Sequence, residues 1–236
     1  MNYFTINGVK STDVGIICKK QPDIVLAAPR MTYQTIPGRD GSLVIAEEGP
    51  DGEPIYDDVT LTCECYMRDL SRISEAAAFL AGAGDISFPV RPGGHYRGRV
   101  TNQITLEQIM RGRTQRQFEV MFRMEPFWYR DGVLDTTICS ATDIRNAEDV
   151  SSEPILNINC TADAVLYIGD TVVNIRNTGG YFILDCELKM AYRENKLMNS
   201  YISIEGPWPR LKPGYTHISW TGGISAIALT PNWRRR

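Results

Sequence analysis

The sequence has few of the features on which membrane proteins and secreted proteins depend. No stretch approaches the about 20 consecutive apolar residues that a membrane-spanning helix needs. The amino terminus lacks the charged start and the apolar run of a secretory signal. We therefore expect a soluble protein made in the cytoplasm, with no membrane partner.

The residues and motifs of common catalytic sites are also scarce. There are two histidines, His95 and His217, in 236 residues, and neither has a metal-ligand spacing around it. The serine-hydrolase elbow, the phosphate-binding loop and the dinucleotide-binding glycine turn are all missing. Six scattered cysteines suit free thiols in a reducing compartment better than a disulfide framework. These absences argue against an enzyme and predict no metal and no cofactor.

What the sequence does contain is ordinary globular composition, with 43% hydrophobic and 22% charged residues. Its length suits two small domains. The polar, acidic stretch 141–153 shows no strand period, and it follows the aromatic cluster 126–129. We place the domains at residues 1–137 and 138–236.

Strand patterns dominate both halves, and one helix interrupts the first. Apolar residues alternate in 59–67, with Cys63 and Cys65 on the same buried face, and again in 117–124. Residues 69–81 suit a helix that Asp69 caps and that left-handed Gly82 ends. Its predicted buried face is formed by Leu70, Ile73, Ala77 and Leu80. The first half is predicted to be an antiparallel β domain with one packed helix.

Beyond Pro154, about seven short strands separated by turn residues predict an antiparallel sandwich without helices. They cover residues 155–160, 165–168, 172–175, 181–188, 201–204, 217–221 and 224–229. The overall fold class is therefore mainly β.

A hairpin and an uneven charge distribution distinguish the first half. Pro37-Gly38 and Asp40-Gly41 are turn dipeptides between apolar runs, so residues 33–45 are predicted to form a β-hairpin. The following stretch, 47–58, carries six acidic residues and no basic one, whereas 91–130 carries eight arginines against three glutamates. Either these are two solvated surfaces, or they orient identical copies head to tail. The overall acidity argues against a nucleic-acid partner.

Two other functions remain open at this point. A sandwich can bind glycans through exposed tryptophans, here Trp208 or Trp220. A cell-wall polysaccharide hydrolase would need paired carboxylates, for which Asp185 and Glu187 on one outward strand face are candidates.

The start Phe4-Thr5-Ile6-Asn7-Gly8, followed by the turn Pro37-Gly38-Arg39-Asp40-Gly41, resembles the opening of siphophage distal tail proteins. The likeness continues through residues 79–82, 116–122 and 126–129. It is looser in the second half, where 154–158, 182–185, 211–214 and 227–234 look like the galectin-like domain of those proteins.

This resemblance implies a structural virion protein of phage or prophage origin. Family members form a six-membered ring at the tail tip, and the protein would be assembled in the cytoplasm of the host bacterium. The ring would join the tail tube protein to the tail-tip protein, and its second domains would support receptor-binding or side-fibre proteins. We expect the subunit interface to include the hairpin tip and the two charged regions. The expected residues are Pro37, Gly38, Arg39, Asp40, Gly41, Glu47, Glu48, Asp51, Glu53, Arg97, Arg99, Arg111, Arg113 and Arg116.

Overall fold

The computed structural model describes residues 2–105, 107–108, 116–176 and 178–236. The chain forms two compact units: residues 1–131 with the terminal Arg236, called unit 1, and residues 132–235, called unit 2. The boundary placed at 137/138 from the sequence lies slightly further along the chain. Within the described ranges, no helix has the length and apolar character that crossing a membrane requires.

Unit 1 is built on an antiparallel sheet. Its strands are β1 (Thr5–Ile6), β2 (Val9–Lys10), β3 (Ile16–Cys18), β4 (Met31–Thr35), β5 (Ser42–Ala46), β6 (Val59–Met67), β7 (Ala83–Ser87), β8 (Gly94–Val100), β9 (Glu107–Gln108) and β10 (Arg116–Arg130). The main sheet has the order β2-β1-β7-β8-β10-β6-β3, and β9 pairs with β10. Strands β4 and β5 form a separate two-stranded sheet.

The strand patterns of unit 1 are confirmed. Buried and outward residues alternate along β6, and Cys63 and Cys65 are buried as expected. Strand β10 extends well beyond the predicted segment and takes in the aromatic cluster, with Trp128 and Tyr129 buried. His95 lies in β8.

The predicted helix is present, but it is shorter than predicted and buries a different face. Helix α1 spans Ile73–Leu80 and follows a 3-10 turn at Leu70–Arg72. Asp69 caps that turn by accepting a hydrogen bond from the Ser71 backbone. Leu80 is buried as predicted, but Ile73 and Ala77 are exposed and Ala76 is buried instead. The left-handed end at Gly82 was also wrong, since Ala81 ends the helix with right-handed backbone.

The amino-terminal Asn-Gly pair makes the tight turn between β1 and β2. Asn7 and Gly8 both have positive φ, 51° and 80°, as a two-residue hairpin turn requires. The Asn7 amide also clips this turn to β7 by donating to the Ala83 carbonyl and accepting from the Asp85 N–H. This contact requires a glycine between Ala83 and Asp85, because a Cβ at Gly84 would lie 2.0 Å from Asn7 Oδ1.

Substituting Gly84→Ala is expected to destabilise the protein by about 1–3 kcal/mol, because the Asn7 side chain must leave its two backbone partners. Chemical denaturation measures this. In the double variant Asn7→Ala/Gly84→Ala the clash is gone, so the two losses should be less than additive. Fully additive losses would show that the clip is unimportant.

Unit 2 is also antiparallel. Its strands are β11 (Thr136–Ile138), β12 (Thr142–Asn146), β13 (Ile155–Ile168), β14 (Thr171–Ile175), β15 (Gly180–Asp185), β16 (Met190–Arg193), β17 (Lys196–Leu197), β18 (Ile202–Glu205), β19 (Gly214–Thr230) and β20 (Arg234–Arg235). Two further 3-10 turns occur in the chain, at Ser11–Val14 and Asn199–Tyr201.

The predicted antiparallel sandwich is confirmed, but several strand limits were wrong. Strands β13 and β19 are each continuous, where four separate strands were expected. Their pairing shifts register between Asn159 and Ala164, and opposite that shift a Cβ at Gly222 would lie 2.3 Å from the Asp163 carbonyl. The glycines that were interpreted as a break between two strands therefore lie at a bulge, where the backbones of β13 and β19 approach closely.

Several strands of unit 2 were missed altogether: β11, β12, β16, β17 and β20. The stretch 141–153, thought to lack strand structure, contains β12, and the one pairing it makes within the described residues is with β19. A strand with one neighbour can expose polar side chains, so its apolar signal is weak.

Candidate assembly interface

Unit 1 contains a largely exposed segment, residues 28–55, which we call the arm. It contains the β4–β5 hairpin. Both ends are fixed in the core: Ala27 is buried, and Tyr56 packs against the core and lies edge-to-face with Phe127, at 5.5 Å between ring centroids. The arm is therefore an insertion anchored at its two ends in the unit 1 fold.

Arg30 holds the base of the arm together. Its guanidinium contacts Glu47 at 3.3 Å and Asp57 at 2.9 Å, and the two carboxylates raise the pKa of Arg30. The Arg30 N–H donates to the Ile55 carbonyl, and the Arg30 carbonyl accepts from the Glu47 N–H. The start and the end of the arm are thereby tied side by side.

The tip of the arm is a tight turn, as its sequence predicted. The Arg39 N–H donates to the Ile36 carbonyl at 3.2 Å, closing a four-residue turn with Pro37 and Gly38 at its centre. Gly38 has φ 82°, the left-handed value that the third position of a type II turn requires. The turn leaves Arg39 and Asp40 exposed at the end of the hairpin.

Apolar side chains are exposed on both faces of the arm. On one face Tyr33 lies opposite Val44, with 66% and 50% of their surface exposed, beside Met31. On the other face Ile45 is 45% exposed. An isolated two-stranded hairpin is marginally stable, and exposed apolar clusters mark contact surfaces. This makes the arm a candidate docking element.

The outward face of the unit 1 sheet carries a second candidate surface, a shallow groove of about 690 Å³. We call it the charged groove. Six charged residues line it: Asp58, Asp85, Arg97, Arg99, Arg123 and Glu125. Strand register places Arg99 opposite Arg123, and Asp85 opposite Arg97. Arg97 also stacks on the Tyr129 ring, at 4.0 Å from its centroid.

The acidic and basic regions of the sequence are partly paired within one chain. Arg30 binds Glu47 and Asp57, and Arg123 binds Asp58 at 2.7 Å. Three of the six acidic residues therefore already have a cationic partner. Of the basic residues expected at the interface, Arg97 and Arg99 meet in the charged groove and Arg116 begins β10. Arg111 and Arg113 lie outside the described residues.

The residues that sequence reasoning missed are the apolar ones of the arm, among them Tyr33, Val44 and Ile45. The expected interface named only the turn and the charges. The sequence did carry a signal for their exposure, because this hairpin has apolar residues on both faces. A hairpin that packs one face against its own core needs apolar residues on that face only.

The features suggested for other functions have structural roles. Trp208 and Trp220 are half-buried and pack against the unit 2 core, and Trp220 donates to the Ile224 carbonyl. Asp185 is buried and accepts hydrogen bonds from the Glu187 and Leu188 N–H groups in a turn, so the expected outward pair does not exist.

The histidines have acidic neighbours but lie in different units. His95 is 2.6 Å from Asp131, and His217 is 2.7 Å from Asp143. Across the described residues, no group of three or more His, Cys, Asp or Glu side chains is arranged to hold a metal ion.

Comparison with known proteins gives a result at the level of the fold. No protein-family model matches the sequence, and no curated protein matches it significantly. Among solved structures, the chain is similar to the Dit protein (gp 19.1) of phage SPP1, described as a paradigm of the hub adsorption apparatus in phages that infect Gram-positive bacteria. The TM-score is 0.73 at 16% identity, and the match covers 97% of each chain. From end to end, this chain has the fold of a phage distal tail hub protein.

Proposed function

We propose that the protein is the structural hub of a siphophage tail tip and forms a ring of six identical copies, as members of the family it resembles do. The observation that carries this proposal is the full-length fold match, which includes both units. In this role the ring joins the tail tube to the tail-tip protein and supports receptor-binding proteins. The protein acts by assembly and catalyses no reaction.

The arm supports self-association as the way the ring forms. A ring needs a heterologous interface, in which one surface of each copy binds a different surface of the next. The arm supplies the first surface, with apolar residues for burial and charges at its tip and base. The charged groove of the neighbouring copy supplies the second, where Arg97 and Arg99 face acidic residues of the incoming arm.

Charge swapping tests this arrangement. Reversing Glu48→Lys and Glu53→Lys, or Arg97→Glu and Arg99→Glu, is expected to weaken ring formation about tenfold to hundredfold. Light scattering over a concentration series measures the change. Combining all four reversals in one chain restores opposite charges across the interface and should recover most of the loss.

Arg145→Glu is the matched control, because Arg145 is an exposed arginine of unit 2. It should leave assembly unchanged. If the four-fold variant assembles no better than either pair alone, the acidic part of the arm does not meet the groove.

A further inference from the structure

Three buried cysteines lie together where β3 pairs with β6. Cys18 ends β3, and Cys63 and Cys65 share the buried face of β6. Strand β3 is the last in the order of the main sheet, so it has a strand neighbour on one side, β6. All three are free thiols.

Cys18 and Cys65 occupy the strand position that best suits a cross-strand disulfide. They are direct partners in the β3–β6 register. The Lys19 N–H donates to the Glu64 carbonyl, so Lys19 and Glu64 form a hydrogen-bonded pair. Because pair types alternate along an antiparallel ladder, the neighbouring Cys18–Cys65 pair is a non-hydrogen-bonded one. At such a pair the Cα atoms lie about 4.5 Å apart, within the range that disulfides span. The two sulfurs are 3.8 Å apart.

The three thiols differ in acidity. Hydrogen bonds from Cys63 and Cys65 to the Cys18 sulfur lower the pKa of Cys18. The same hydrogen bonds are the main cause that raises the pKa of Cys63 and of Cys65, and burial of these two thiols raises it further. Cys18 is therefore the thiol that reacts first, because the thiolate is the nucleophile.

We propose that Cys18 and Cys65 form a redox modification site that closes to an intrachain disulfide when it meets a small disulfide oxidant of the glutathione type. The Cys18 thiolate attacks one sulfur of the oxidant and releases one small thiol. The Cys65 thiolate then attacks the Cys18 sulfur and releases the second. Two protein thiols are oxidised, one small disulfide is reduced to two thiols, and the protons given up by the protein are taken up by the released thiolates.

The oxidant reaches the site by local opening of β3. This strand has three residues and lies at the end of the main sheet. Short edge elements open at a lower free-energy cost than the whole fold.

The disulfide would close a loop of residues 18–65, which contains the whole arm. It would therefore link the segment that precedes the arm to the strand that follows it in the oxidised protein. The effect on the arm rests on the proposed function, whereas formation of the disulfide does not.

Peptide mapping of the full chain tests the proposal. The protein carries Cys139→Ser, because Cys139 is exposed and would form disulfides between molecules. It is treated with oxidised glutathione, alkylated in denaturant and cleaved after glutamate without reduction. Cleavage after Glu64 separates Cys63 from Cys65. We expect a cross-linked peptide pair containing Cys18 and Cys65, with Cys63 alkylated.

Thermal unfolding gives a second readout. Oxidation should raise the Tm of the unit 1 transition by about 5–10 °C. Cys63→Ala should keep this shift, and Cys65→Ala should lose it. If Cys18 and Cys65 both stay alkylated after oxidation, or if Cys18 is found joined to Cys63, the proposal is overturned. Assembly of the reduced protein is unaffected by either result, so failure here is distinct from failure of the proposed function.

Discussion

Replacing Tyr33 and Val44 by aspartate is expected to abolish self-assembly while leaving the monomer folded. The two side chains lie opposite each other on one face of the arm and are exposed in the single chain. Burying them at an interface would contribute about 1.5–3 kcal/mol each. Aspartates lose that contribution and bring two charges into an apolar contact. Association should weaken at least about a thousandfold, which sedimentation velocity measures.

The matched control is the pair Leu197→Asp and Tyr215→Asp in unit 2. These side chains are 63% and 72% exposed, as large and as apolar as the pair in the arm. They should leave assembly unchanged, and circular dichroism should show all variants folded. If the arm variant assembles like the wild type, the arm is not the docking element.

Phe4→Ala is expected to cause the largest loss of stability of any change considered, about 3–5 kcal/mol. Phe4 is fully buried and begins the segment that resembles the distal tail family. Its ring meets Phe122 edge-to-face at 5.0 Å and stacks on Phe79 at 5.8 Å. Removing it leaves a cavity between the sheet and α1, which denaturant unfolding would register.

Val9→Ala serves as the control for this change. Val9 lies in the same terminal hairpin but is 46% exposed, so its truncation should cost less than about 0.5 kcal/mol. A loss below about 1 kcal/mol for Phe4→Ala would mean that the aromatic cluster contributes little to the fold.

Much of the fold could be predicted because period-two alternation is a local signal. The strand at residues 59–67 and the hairpin with its Pro-Gly turn are of this kind. Features that depend on tertiary partners were missed. The orientation of α1 depends on which face meets the sheet, and the continuity of β19 through Gly222 depends on the approach of Asp163 from β13.

The candidate site was harder to predict than the fold. Turn residues such as Gly38 follow from local backbone requirements, so the tip of the arm was found. The exposure of Tyr33 and Val44 was missed, because an alternating strand with apolar residues usually faces its own core. The pairing of Arg123 with Asp58 was also missed, because the two residues are distant in sequence and meet only in the folded protein.

The central claim is that this chain works by binding copies of itself through the arm. Electron microscopy of the purified wild-type protein, with its mass measured by light scattering on the same sample, tests that claim most directly. The account predicts closed rings whose mass is a fixed multiple of the monomer and which disappear in the Tyr33→Asp/Val44→Asp variant. Particles of monomer mass at every concentration, with the arm intact, would contradict it.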